Sequence, residues 1–266
     1  MHLELLLLLL ATGIIGGFLS GLLGIGGGMI FVPAIYFCLK AAGIGSEHIM
    51  HISVGTSMAV MVSTGISAAY SQYKKENIDF DIFKRWGVAL LLGVFIGSSF
   101  ASSVDGLTLK KIFAVVISLT AIYMVFSKER KVTHHKLSKT IQNFICLTIG
   151  TLSSMVGLSG SVFNVPLMNY IGVPMKRAIG TGSALTVAVT VPATITYMFL
   201  GLKHSAELPL YSIGFINLIA LAIIISTSTF IAPLGVKASH YLPVPTLKKI
   251  FAVILIIVSV KMFMSI

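Results

Sequence analysis

The chain has 266 residues, of which 56% are hydrophobic and 10% charged, with a mean hydropathy of +0.99. A soluble domain keeps roughly a quarter of its residues charged to cover its surface, so this composition excludes a soluble globular protein. The formal net charge of +11 comes without a basic stripe, zinc-ligand spacing or aromatic RNA-binding motif. A basic excess in short loops is what the positive-inside rule gives a membrane protein, and no nucleic-acid partner is expected.

The N-terminus, with Leu3 and six leucines over 5–10, has the apolar core of a signal peptide. It has only His2 and Glu4 where a basic leader would stand, and it runs into a motif repeated later, so it is expected to be retained. Eight apolar segments follow in order, roughly 3–39, 51–71, 83–104, 109–127, 140–172, 179–201, 209–234 and 246–265. Stretches of about 20 apolar residues cross a hydrocarbon core of about 30 Å as helix. An all-α polytopic membrane protein in the lipid bilayer of the cell inner membrane is the expected class. Cys38 and Cys146, both in apolar segments, read as reduced packed side chains.

The chain repeats itself. Residues 17–37 read GFLSGLLGIGGGMIFVPAIYF and residues 150–170 read GTLSSMVGLSGSVFNVPLMNY, aligning without gaps. Gly55-Thr56-Ser57 recurs as Gly180-Thr181 followed by Gly182-Ser183, and TLKKIFAV stands at both 108–115 and 246–253. Three matches in one order define two four-segment units, 1–127 and 140–266, divided by a basic linker over 128–139. The linker pair His134–His135 reads as solvated rather than metal-binding, because further ligands at suitable spacing are missing.

The first segment of each unit is too long for one crossing. Gly24, Gly26, Gly27 and Gly28, then Pro33, interrupt the first. Glycine costs about 1 kcal/mol in a helix interior and proline about 3. Two helical pieces joined by an unwound glycine turn are therefore expected, the break lying in protein or against a polar cavity.

Charge placement bears on orientation. If each first segment crosses once, Lys and Arg divide 11 against 8 between the two sides. If each enters and returns, one side holds Lys74, Lys75, Lys84, Arg85, Lys128, Arg130, Lys131, Lys136, Lys139, Lys176, Arg177, Lys237, Lys248 and Lys249, which is 14 of the 19. The stronger bias predicts inverted-topology repeats with a cytoplasmic linker and both termini on the far side. Inverted halves with paired broken helices are a recurring design of secondary transporters.

The breaks are the candidate site: Gly24, Gly26, Gly27 and Gly28 with Pro33 in one half, and Gly157, Ser159, Gly160 and Ser161 with Pro166 in the other. Each opens a short helix whose N-terminus offers unpaired N–H groups and partial positive charge, a setting for a small anion. Ser159 and Ser161 add hydroxyls, and Asn164, where the first copy has Phe31, adds an amide. The same glycines also serve close helix packing. Thr56, Ser57, Thr181 and Ser183 are either further donors or ordinary caps and interhelical bonds. His51, aligned with Lys176, forms with Lys176 and Arg177 a candidate gateway for an anion, or else these are loop anchors.

No Asp or Glu lies deep in an apolar segment. Cation carriers and proton relays usually place carboxylates there, so an anionic or neutral substrate is favoured, and neither a catalytic cluster nor a cofactor or metal site is visible. The coupling ion, proton or sodium, and any homo-oligomer stay open.

The segment LSGLLGIGGGMIFVP at 19–33, echoed by LSSMVGLSGSVFNVP at 152–166, resembles the TauE/SafE sulfite exporter family, and the resemblance covers the whole chain. The second copy keeps only Gly157 and Gly160 of the glycine run. The resemblance implies export of a small sulfur-containing anion such as sulfite or an organosulfonate. An anion channel, or an intramembrane enzyme or assembly subunit, is the alternative.

Overall fold

The computed structural model describes residues 3–24, 26–44, 47–126, 137–239, 241 and 244–265. The expected basic linker, His134–His135 included, lies outside the described residues up to 136. The first half holds α1 (Leu3–Leu23), α2 (Gly28–Ala41), α3 (Ile49–Tyr73), α4 (Phe80–Ser103) and α5 (Gly106–Phe126). The second holds α6 (Lys139–Val156), α7 (Ser161–Tyr170), α8 (Met175–Gly201), a 3-10 turn η1 (Leu202–Glu207), β1 (Ser212–Ile213), β2 (Ile216–Asn217), α9 (Leu218–Ala238) and α10 (Val244–Met264). The segment expected to be apolar from 209 thus begins with a two-stranded hairpin, Ser212 opposite Asn217, before the helix starts. Six described helices are long and apolar enough to cross a membrane.

Both long first segments are broken where glycine permits it. Gly24, Gly26 and Gly27 have φ of 67°, 75° and 80°, and Gly157 and Gly160 have φ of 74° and 75°. A side chain at such φ costs about 1–2 kcal/mol. The two glycines that the second copy retains are therefore those its left-handed turns require. Ser159 and Ser161 stand at positions where the backbone has negative φ. Pro33 and Pro166 each lie inside the helix that follows, and their missing N–H frees the carbonyls of Met29 and Val162.

Helix packing relates the halves. Gly55 of α3 lies against Tyr197, Gly65 against Thr186 and Val187, and Asn77, just past α3, against Gly180. The sequence-equivalent helices α3 and α8 therefore run antiparallel. So do α5 and α10, since Ser118 meets Ser259 while Lys110 donates to the Ser265 carbonyl. Conversely, α1 runs parallel to α9 through Gly13, Gly17 and Gly21, and α4 parallel to α6 through Gly93 and Gly97. Small residues at these crossings let backbones touch. Antiparallel equivalents with parallel cross-pairs are what a two-fold axis across the helices produces.

The α3–α8 pair is the core. Val54, Met58, Val60, Met61, Leu185, Val189 and Tyr197 are buried, while Val88, Leu92, Ile96, Leu119 and Ile122 on α4 and α5 are exposed, a surface suited to lipid. Lys110, near the start of α5, is buried, with its Nζ 3.0 Å from the Tyr36 hydroxyl.

Lys74, Lys75, Lys84, Arg85, Lys176, Arg177 and Lys237 fall at the ends of α3, α4, α8 and α9 that share one end of the molecule. Partial burial, and then the charge of Lys237, lower the Lys75 pKa.

Candidate functional site

The two breaks meet. A Cβ at Gly26 would stand 2.6 Å from the Ser159 Cβ, and one at Gly28 would overlap the Gly157 carbonyl. Gly24 lies against the Ile179 carbonyl and the Ser183 hydroxyl, while Gly157 lies against Val54, the residue that corresponds to Ile179. Every described residue of both breaks is buried. The glycines thus serve close packing and left-handed turns together, and they bring the N-termini of α2 and α7 to one place.

The hydroxyls divide by role. Ser57 donates to the Gly157 carbonyl at 3.3 Å, Ser183 to Ile179 at 3.1 Å, and Ser161 to Gly182 at 2.6 Å with Thr186 alongside at 2.8 Å. Ser57 ties α3 to the second break and Ser161 ties α7 to α8, while Ser183 bonds back within α8, so all three protons are committed to the protein. Thr56 Oγ1 accepts the backbone N–H of Asn217 at 2.9 Å, and Thr181 Oγ1 accepts that of Asp79 at 2.8 Å. Both threonines, read by sequence as donors, ordinary caps or interhelical bonds, thus hold a backbone N–H of the other half with their oxygens.

Two side chains with unmatched polar atoms lie at the second break. Asn164, fully buried, has no hydrogen-bond partner on either Nδ2 or Oδ1, and the buried Ser153 hydroxyl has none either. A Cβ at Gly160 would lie 3.2 Å from Ser153 Oγ and 3.5 Å from Asn164 Nδ2. Both groups therefore border the glycine that opens α7. The first N–H groups of that helix, at Ser161 and Val162, have no partner within it and add partial positive charge. Leaving a buried polar group unmatched costs about 1–3 kcal/mol, and three such atoms stand beside this one helix N-terminus.

The first break is different. There the ring of Phe31, wholly buried, fills the corresponding space, lying 2.8 Å from a Cβ built on Gly27. The polar cradle is one-sided. Asn164 was legible from its alignment with Phe31; Ser153 was visible only as the serine of the repeated Leu-Ser pair.

The gateway residues separate. Lys176 and Arg177 are exposed at the start of α8. Lys176 also lines a small cleft with Gln72, Asn77, Ile179 and Ser239, one residue of which, Ile179, touches Gly24. His51 is instead buried, its Nε2 within 3.0 Å of both the Ala101 and Val104 carbonyls and its ring stacked on Phe215 at 5.1 Å. The expectation of a gateway at His51 is corrected on this point, because the turn between α4 and α5 covers it.

Comparison with known proteins agrees with this architecture. A probable membrane transporter protein of Haemophilus influenzae is 35% identical over 261 residues, covering 98% of each chain. One of Methanocaldococcus jannaschii is 27% identical over 238 residues, covering 89% of this chain and 87% of its own. The Bacillus subtilis protein YdhB, also a probable membrane transporter protein, is 26% identical over 250 residues, covering 91% and 92%. No solved structure matches the chain. The family described as Sulfite exporter TauE/SafE matches residues 9–262, so this multi-pass membrane chain belongs to the TauE/SafE family.

Proposed function

We propose that the protein is a secondary carrier that exports a small sulfur-containing oxyanion, such as sulfite or an organosulfonate, across the cell inner membrane without chemically converting it. The observation that carries this reading is the unmatched amide of Asn164, beside Ser153 and Gly160 at the N-terminus of α7. Donors side by side at the glycine that opens a helix suit the oxygens of a small anion. The Asn164 Oδ1 acceptor suits a hydroxyl of the same ligand, which favours a protonated monoanion over a dianion.

Alternating access is supported by the burial of both breaks and by the two-fold relation between the halves, around which rocking motions exchange access. The basic end, holding Lys74, Lys75, Lys176 and Arg177, faces the cytoplasm in this reading. There Lys176 and Arg177 raise the local anion concentration, and Ile179, which lines the cleft at Lys176, also lies against Gly24. His51 and Phe215 seal the opposite end.

The test is radiolabelled sulfite flux in proteoliposomes of the purified protein, with and without a pH gradient. A carrier shows saturable uptake and counterflow accelerated by internal sulfite. Linear flux without counterflow identifies the channel alternative, and absence of sulfite, thiosulfate and sulfonate flux rejects the reading.

A further inference from the structure

We propose that His48, His204 and Glu207 form a binding site for a borderline divalent transition-metal ion, of the Zn2+ class, that ties the two halves together at the end of the molecule away from the basic cluster. His48 is the N-cap of α3, in the first half, and His204 and Glu207 belong to η1, in the second. Their ligand atoms all lie within 4.8 Å of one another. Both imidazoles converge on one carboxylate oxygen: His48 Nε2 is 3.0 Å from Glu207 Oε2, and His204 Nδ1 is 3.8 Å from it.

The geometry suits metal chemistry. Nitrogen and oxygen ligands at about 2.0–2.2 Å from a tetrahedral Zn2+ stand roughly 3.3 Å from each other, so the three atoms need shifts of about 1 Å or less. In a 3-10 turn, residues three apart eclipse, which places His204 and Glu207 on one side of η1. The rings have a fixed floor: His204 stacks on Phe215 at 5.9 Å and 22°, and the His48 ring lies 4.5 Å from that of His204. Phe215 is itself buried. The Glu207 side chain is 66% exposed, which leaves a fourth coordination position open to water. Two imidazoles and one carboxylate select Zn2+ and its neighbours over Mg2+ or Ca2+, which require oxygen ligands.

The experiment titrates the tag-free full-length protein in detergent with Zn2+ by calorimetry, and with Co2+ by visible absorption. One ion per chain at this site is expected, with a raised Tm and the intense d–d bands of four-coordinate Co2+. His204→Ala and Glu207→Gln, both at surface positions, are each expected to weaken binding at least tenfold while keeping the metal-free Tm. A His134→Ala/His135→Ala variant, which removes the linker pair, is expected to bind like the parent chain. Absence of binding by the parent chain overturns the proposal. So does undiminished binding by both His204→Ala and Glu207→Gln, or loss of binding in the linker variant. None of these readouts depends on transport.

Discussion

Thr56 in α3 accepts a hydrogen bond from the backbone N–H of Asn217 at 2.9 Å. Asn217 is the N-cap of α9, and its own side chain accepts from the Ala220 N–H at 3.0 Å. The other half repeats the arrangement: Thr181 in α8 takes the N–H of Asp79, which caps α4 by accepting from Ile82 at 3.1 Å. Gly55 and Gly180, one residue earlier, would each overlap a backbone carbonyl of the same cross-half segment, at Phe215 and Asn77, if they carried a Cβ. The Gly-Thr pair of each half is thus a dock for the start of a helix in the other.

Replacing Thr56 or Thr181 by valine keeps the shape but strands a backbone donor. Each change is expected to cost about 1–3 kcal/mol and to lower the Tm in detergent, and Thr56→Ser is expected to restore most of the loss. The two effects are expected to add, because the threonines share no partner. A double variant no worse than either single one would contradict the docking role.

Asn164→Leu removes the unmatched amide and makes the second break resemble the first, where Phe31 already fills the space. Sulfite flux is expected to fall at least tenfold while the Tm holds or rises, since a buried polar group without partners is replaced by an apolar one. Asn164→Leu with parental flux would remove Asn164 from the site.

Two glycines separate packing from binding. Gly28→Ala places a Cβ into the Gly157 carbonyl, so the expected result is failure to assemble, read as loss of the monodisperse peak on size exclusion. Gly160→Ala meets only contacts of 3.2 Å and beyond, with about 1–2 kcal/mol of strain from its positive φ. It is expected to fold, with a lower Tm, and to lose sulfite flux as its methyl enters the cradle.

The antiparallel pairing of α5 with α10 is open to cross-linking. The hydroxyls of Ser118 and Ser259 are 2.5 Å apart, so a Ser118→Cys/Ser259→Cys chain is expected to form an intramolecular disulfide on mild oxidation. Cys38 and Cys146 are buried and are expected to stay out of the exchange. Labelling of both introduced thiols after oxidation would show that the helices do not meet there.

Composition and repetition by themselves determined that this chain is a duplicated helical membrane protein. Charges are too sparse to cover a soluble surface, and the glycine runs cannot continue a helix cheaply, so class and breaks follow from local energetics, although the helices run on through Pro33 and Pro166. The site was only partly legible. Which polar side chains remain available depends on which partners lie within reach: Ser57 and Ser161 reach a carbonyl of another segment and Ser183 one of its own helix, while Ser153 and Asn164 reach none. His51 and Lys176 align in sequence, yet one is covered by the α4–α5 turn and the other stands exposed at the start of α8. Likewise, nothing in the spacing of His48, His204 and Glu207 foretells their meeting. Local preferences act within a few residues along the chain, whereas the Ser57–Gly157 and His48–Glu207 contacts join residues 100 or more apart, and only the packing of one half against the other decides them.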